Sequence, residues 1–153
     1  MSNMKKILVV GLGSMGYGIA ESLIRSGYTV YGQDKNLVQQ KKLMEEGGAK
    51  DNVSFNDLDA VIIVVLNEKQ TRDIIFGKDG IAKKLRKGTL IMVCTTVSPN
   101  FAKEMALISE DNGLLYLDAP ISGGSLKSSE GKLSYMISGS NKACEVAKPI
   151  LEA

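Results

Sequence analysis

Short apolar runs alternate with stretches whose apolar residues recur every three or four positions, and the alternation continues almost to the end of the chain. Read by period, the pattern predicts strands at 6–10, 29–33, 60–66, 89–94 and 114–118. Between them it predicts helices at 14–26, 36–46, 68–76, 79–86 and 99–112. Strands alternating with helical stretches are the signature of a parallel α/β sheet covered on both faces. Asn36 and Asp57 read as helix N-caps, and Gly27, Gly47 and Gly113 as helix stops. The short VSF at 53–55 reads as a third strand in chain order, and Leu133 to Ile137, alternating after Gly131, as an edge strand. A last helix is predicted from Asn141 to Leu151, with Pro149 disturbing its end. No repeat, low-complexity tract or linker divides residues 1–153, so the pattern predicts one domain.

The densest information lies in residues 7–34, ILVVGLGSMGYGIAESLIRSGYTVYGQD. A strand-like run meets Gly11-Leu12-Gly13-Ser14-Met15-Gly16, a helical stretch follows to Gly27, and a second strand-like run closes on Asp34. That is the order of a dinucleotide-binding βαβ unit, so the fold expected is a doubly wound Rossmann sheet, mostly parallel. In that reading Gly11 turns the chain sharply out of the strand. Gly13 admits a pyrophosphate close to the main chain, and Gly16 lets the helix pack on the sheet. The phosphates would meet the positive end of the helix beginning near Ser14. Asp34 stands 18 residues past Gly16, near the ~20 expected of a carboxylate that grips the adenosine ribose. Such a carboxylate favours NAD and would repel the 2′-phosphate of NADP. The bland alternative is a glycine-rich βα turn beside an unrelated surface aspartate.

Composition removes several other classes. A net charge of +2, with the lysines dispersed, argues against nucleic-acid or anionic-membrane binding. The longest apolar run, Ala60 to Leu66, is far short of a membrane span. Met1 leads directly toward the first strand, so no signal peptide is expected, and Cys94 and Cys144 lack any paired or metal-ligand spacing. Both cysteines read as reduced thiols, and the expected compartment is cytoplasmic. The absence of histidine removes His-based catalysis and the commonest zinc sites, and no metal site is expected.

In open α/β sheets ligands lie across the carboxyl ends of the strands. Polar or glycine-rich segments follow the predicted strands in those places: Gly11–Gly16, Asp34, Leu66-Asn67, Thr95-Thr96 and DAPISGG at 118–124. Ser122 followed by Gly123 and Gly124 offers one hydroxyl and several unobstructed N–H donors, a natural anion cradle, or an ordinary tight turn.

These segments together resemble the β-hydroxyacid dehydrogenase family, which includes 3-hydroxyisobutyrate dehydrogenase and tartronate semialdehyde reductase. The family's opening pattern stands here as GLGSMGYGIAESLIRSGYTV at Gly11–Val30, and its substrate-loop pattern as DAPISGG with Gly131-Lys132-Leu133. FGKDG at 76–80 and the stretch from DAPISGGSLKSS to AKPILEA look most like the L-threonate dehydrogenase branch. The resemblance implies NAD as cofactor and a small hydroxy acid as substrate. It assigns the cofactor to the turn Gly11, Leu12, Gly13, Ser14, Met15 and Gly16, to Asp34, to Leu66 and Asn67, and to Thr96 at the nicotinamide end. It assigns the substrate carboxylate to Ser122, Gly123 and Gly124.

One departure stands against these agreements. The family's catalytic lysine lies on a helix opened by a GxGxxxK-type segment beyond the dinucleotide domain, and no lysine here matches it. Lys142 and Lys148 lie in the last helix without the glycine motif and read as solvated. The expectation is a chain truncated before the all-helical domain that completes the active site and forms the oligomer. It would hold NAD without turning over substrate alone. The competing expectation is a non-catalytic dinucleotide-binding module or sensor. A methyltransferase with a glycine turn is disfavoured, since DAPISGG has no role there.

Overall fold

The computed structural model describes residues 6–153. The segment from Met1 on which the signal-peptide expectation rests lies outside them.

The first strand, β1 (Lys6–Val10), leads into α1 (Ser14–Arg25). Then come β2 (Thr29–Gln33), α2 (Leu37–Glu45), β3 (Ala60–Ile63), α3 (Glu68–Phe76), β4 (Leu90–Val93), α4 (Pro99–Asp111) and β5 (Leu115–Asp118). The chain closes with β6 (Ile121–Ser122), α5 (Gly124–Ser129), β7 (Ser134–Tyr135), β8 (Ser138–Gly139) and α6 (Asn141–Leu151). One sheet has the order β2-β1-β3-β4-β5-β8, and β6 pairs with β7 in a separate ribbon. The first five strands are parallel, with Val10 beside Gln33 and Ile63, and β8 joins antiparallel to β5. Strand order reverses between β1 and β3, which opens a crevice at their carboxyl ends.

Residues of both parities are buried along these strands, because each face has its own layer of helices. Ile7, Val9, Ile62 and Met92 pack with Leu23 of α1, Leu43 of α2 and Ile150 of α6. Leu8, Val10, Ile63 and Ile91 pack on the other face with Ile75 of α3 and with Phe101 and Met105 of α4. A strand buried on both sides reads as a continuous apolar run, which is why ILVV, AVII and LIMV show no alternation. Asn36 caps α2 by accepting from the Val38 N–H, and Gly27, Gly47 and Gly113 follow their helices at positive φ, as expected of stops.

Several expectations need correction. Residues 53–55 form no strand: Phe55 opens a 3₁₀ turn, Phe55–Asp57, while half-buried Val53 and Phe55 pack against the second core layer. Asp57 ends that turn rather than capping a helix, since β3 begins three residues later. Only a 3₁₀ turn, Ala82–Lys84, occupies the expected helix at 79–86. There the Gly80 N–H bonds to Gly77 and the Ile81 N–H to Ile74, so the backbone is spent on a reverse turn behind α3. The predicted edge strand at 133–137 is not part of the main sheet, whose edge lies just beyond it. Ser134–Tyr135 joins the ribbon with β6, and Ser138–Gly139 makes the sheet edge. Helix α5 was not anticipated, and α6 continues through Pro149 to Leu151. β3 stops at Ile63 rather than 66, because the chain leaves the sheet after the Val64 N–H bonds to Val10 at 2.8 Å.

Candidate cofactor-binding site

At the reversal of strand order lies an open cleft of about 680 Å³, floored by the chain leaving β1 and β3. Its first wall is the glycine turn. Gly11 stands at φ +95, and a Cβ there would lie 2.0 Å from the Val64 carbonyl oxygen. A Cβ on Gly16 would lie 1.8 Å from the Gly11 carbonyl oxygen. Gly11 and Gly16 are therefore demanded by the protein's own packing. Gly13 is different: nothing of the protein lies within 4 Å of where its Cβ would be, and it faces the cleft. Gly13 is also the N-cap of α1 and supplies no side-chain cap, and no acidic residue stands in the first turn. The positive end of a twelve-residue helix thus opens on a surface where an anion can approach the backbone.

The opposite rim is Asp34. Its Oδ2 accepts from the Leu12 N–H at 2.6 Å and its Oδ1 from the Asn36 N–H at 2.7 Å, while its own N–H donates to Gln40 Oε1 at 2.8 Å. The carboxylate is held from both sides. An ionised carboxylate has about four acceptor positions, so each oxygen keeps one for a hydroxyl arriving in the cleft. The third wall is Val64–Leu66 after β3, with Gln70 of α3 behind it. Gln70 Oε1 accepts from the Leu66 N–H at 3.0 Å, and buried Thr95 accepts through Oγ1 from the Val65 N–H at 3.1 Å.

Of the expected site residues, Gly11, Gly13, Ser14, Met15, Gly16, Asp34 and Leu66 line this one cleft. Leu12 does not: its side chain is wholly buried in the core and its amide is spent on Asp34. Asn67 lies outside the cleft wall and caps α3, its Oδ1 accepting from the Gln70 N–H at 2.9 Å. Thr96 is exposed after β4, and Ser122, Gly123 and Gly124 are exposed after β5, so they stand farther along the same sheet edge and not in the cleft wall. Helix α5 ties that last loop to the glycine turn, because Ser128 Oγ donates to the Met15 carbonyl at 2.5 Å. Sequence reasoning placed Thr95 at this sheet edge without its role, and missed Gln40 and Gln70. A side chain pinning a backbone amide leaves no periodic trace.

Two further features bear on chemistry. Cys94 is buried in the core, and burial with the nearby Asp118 charge raises its thiol above the ordinary range, which disfavours the nucleophilic thiolate. Among the described residues no helix is long and apolar enough to cross a membrane, and no group of Cys, Asp and Glu side chains could hold a metal ion.

Residues 6–153 match the family described as the NAD binding domain of 6-phosphogluconate dehydrogenase. The chain belongs to this family. It is 43% identical over 151 residues to the L-threonate dehydrogenase of Haemophilus influenzae, covering 96% of this chain and 50% of that protein. The L-threonate dehydrogenase of Pectobacterium atrosepticum is 42% identical over 151 residues, again covering 96% of this chain and 50% of the relative. The crystal structure of 3-hydroxyisobutyrate dehydrogenase from Salmonella typhimurium superimposes with a TM-score of 0.92 at 37% identity, covering 97% of this chain and 53% of that one. The expected resemblance to β-hydroxyacid dehydrogenases, L-threonate dehydrogenases among them, is borne out, as is the Rossmann fold. The chain spans about half the length of the curated relatives it matches. It is an NAD-binding domain.

Proposed function

We propose that this chain is the NAD-holding part of a dehydrogenase that moves a hydride between nicotinamide and the carbinol carbon of a small hydroxy acid, of the L-threonate or 3-hydroxyisobutyrate kind. The observation that carries this reading is the pairing, across one cleft, of an open-faced Gly13 at an uncapped helix start with a doubly held Asp34. The residues present fit the cofactor. Gly13 and the first-turn amides of α1 receive the pyrophosphate, Asp34 accepts from the adenosine ribose hydroxyls, and Leu66 covers the ring system from the β3 side. When bound, NAD supplies the hydride acceptor, and the protein's share is binding, orientation and proton handling. Ser122, Gly123 and Gly124 present the hydroxyl and N–H donors that hold the substrate carboxylate, with Thr96 toward the nicotinamide end.

The group that takes the carbinol proton is not among these 153 residues in this reading. Lys148, 4.0 Å from Glu152, and Lys142 both sit on the exposed face of α6. Losing a positioned acid–base group costs roughly 10²–10⁴-fold in rate.

The test is titration of the purified chain with NADH and NADPH, followed by nicotinamide fluorescence. NADH should bind at least about tenfold more tightly, since a 2′-phosphate meets Asp34 as a like charge, and Asp34→Ala should narrow the gap. Equal or tighter binding of NADPH refutes the assignment of Asp34. NADH formation from L-threonate, 3-hydroxyisobutyrate or glycerate should be absent, and robust turnover would show that the proton-carrying group has been misplaced.

A further inference from the structure

The turn from β2 into α2 spends its backbone donors on its own side chains. The Asn36 N–H goes to Asp34 Oδ1 at 2.7 Å, the Val38 N–H to Asn36 Oδ1 at 3.1 Å, and the Asp34 N–H to Gln40 Oε1 at 2.8 Å. The first two are ordinary turn and capping bonds between near neighbours. The third is not. In a capping box the third helical residue reaches back to the cap itself. Here Gln40, the fourth residue of α2, reaches past the Asn36 cap to a residue two positions before it. Because the partner is an N–H, the atom of Gln40 that faces it must be the carbonyl oxygen.

Resting on the reading of the cleft as an NAD site, we propose that Gln40 is a positioning residue that sets the choice between NAD and NADP. It acts in two ways, both through Asp34. It fixes the main chain of Asp34, so that the carboxylate keeps its bonds to Leu12 and Asn36 and turns its remaining acceptor positions toward the ribose hydroxyls. It also occupies an N–H at the rim of the cleft that a 2′-phosphate would otherwise recruit, since phosphates are bound by backbone amides at turns and helix starts. A neutral amide does both without adding a charge. Lys35, on the cleft wall next to Asp34, is a cation such a phosphate could use. Exclusion of NADP therefore depends on keeping the neighbouring donors occupied as well as on the Asp34 charge.

The experiment compares NADH and NADPH dissociation constants for the unmodified chain and for Gln40→Leu, Gln40→Ala and Gln40→Glu, with thermal melts of each. Leu and Ala remove the acceptor, and each should narrow the NADH preference by about fivefold, the effect of one hydrogen bond of ordinary net strength. Glu keeps an oxygen facing the Asp34 N–H and adds a negative charge, so it should retain or widen the preference. The ratio of the two constants is the deciding readout, because a purely structural role would weaken both cofactors alike and leave the ratio unchanged. An unchanged ratio in folded Gln40→Leu and Gln40→Ala, or a Glu variant that narrows it as they do, overturns the proposal while leaving the cleft assignment intact. If the unmodified chain binds neither cofactor or prefers NADPH, the cleft reading falls and this inference with it.

Discussion

Substituting each glycine of the turn by alanine should separate folding from binding. At Gly16 the added methyl would lie 1.8 Å from the Gly11 carbonyl oxygen, more than an ångström short of the 3.4–4 Å of ordinary contact. The obstruction is the Gly11 backbone carbonyl, so no side chain can swing away. Overpacking of this kind costs about 1–3 kcal/mol, and the upper end applies here. Alanine in a helix returns about 1 kcal/mol relative to glycine, leaving a net loss of about 2 kcal/mol. For a chain of this size that lowers the melting temperature by roughly 4–8 °C. Gly11→Ala should lose more, because its 2.0 Å overlap with the Val64 carbonyl oxygen is compounded by φ +95, which costs an L-residue roughly 1–2 kcal/mol. Gly13→Ala should spare folding and weaken binding. Its φ of −69 suits any residue, and nothing lies within 4 Å of the new methyl. Reduced freedom of the unfolded chain contributes about 0.4–1 kcal/mol, and alanine's poorer fit at the N-cap of α1 takes back about as much, so the melting temperature should change little. If the pyrophosphate rests on Gly13, the same methyl should weaken NADH roughly 5- to 150-fold, the effect of a 1–3 kcal/mol clash. Thermal melts and NADH titrations on the three variants decide the matter. Wild-type NADH affinity in Gly13→Ala would refute the placement of the pyrophosphate, and a wild-type melting temperature in Gly16→Ala would refute the packing argument.

Two further outcomes follow from burial. An alkylating reagent at mildly alkaline pH should label half-buried Cys144 and spare Cys94 until the chain is unfolded, as mass spectrometry of the peptides would show; early labelling of Cys94 would contradict its packing in the core. Asp118 has its carboxyl raised above the usual carboxylate range by burial, and its Oδ1 has no hydrogen-bond partner among the described residues. A proton held more tightly in the folded state makes this group's contribution to stability largest at low pH and smaller as pH rises through the folded value. Asp118→Asn should therefore leave stability unchanged at pH 4 and equal or raise it at pH 7, and a marked loss at pH 7 alone would refute the reading.

Much of the cofactor site was legible in the chain because its signals are local. The run from Ile7 to Asp34 carries strand, glycine turn, helix, stop and strand in order, each decided by its own neighbours and by backbone freedom at Gly11. Apolar runs without alternation likewise foretold a sheet covered on both faces. Tertiary structure alone decided what depends on distant partners. Val53–Phe55 and 79–86 have their backbone bonded into 3₁₀ and reverse turns that pack on the second core layer, so tertiary contacts overrode their local preference. Strand order, with β1 between β2 and β3, is a set of backbone pairings that no single segment encodes. The pins around the site belong to the same class: Thr95 on Val65, thirty residues apart, and Ser128 on Met15, 113 apart. Even Gln40 on Asp34, only six apart, depends on where the turn leaves β2. A hydrogen bond from a side chain to a remote amide has no period and demands only one polar atom. It becomes visible only when the fold has brought its two ends together.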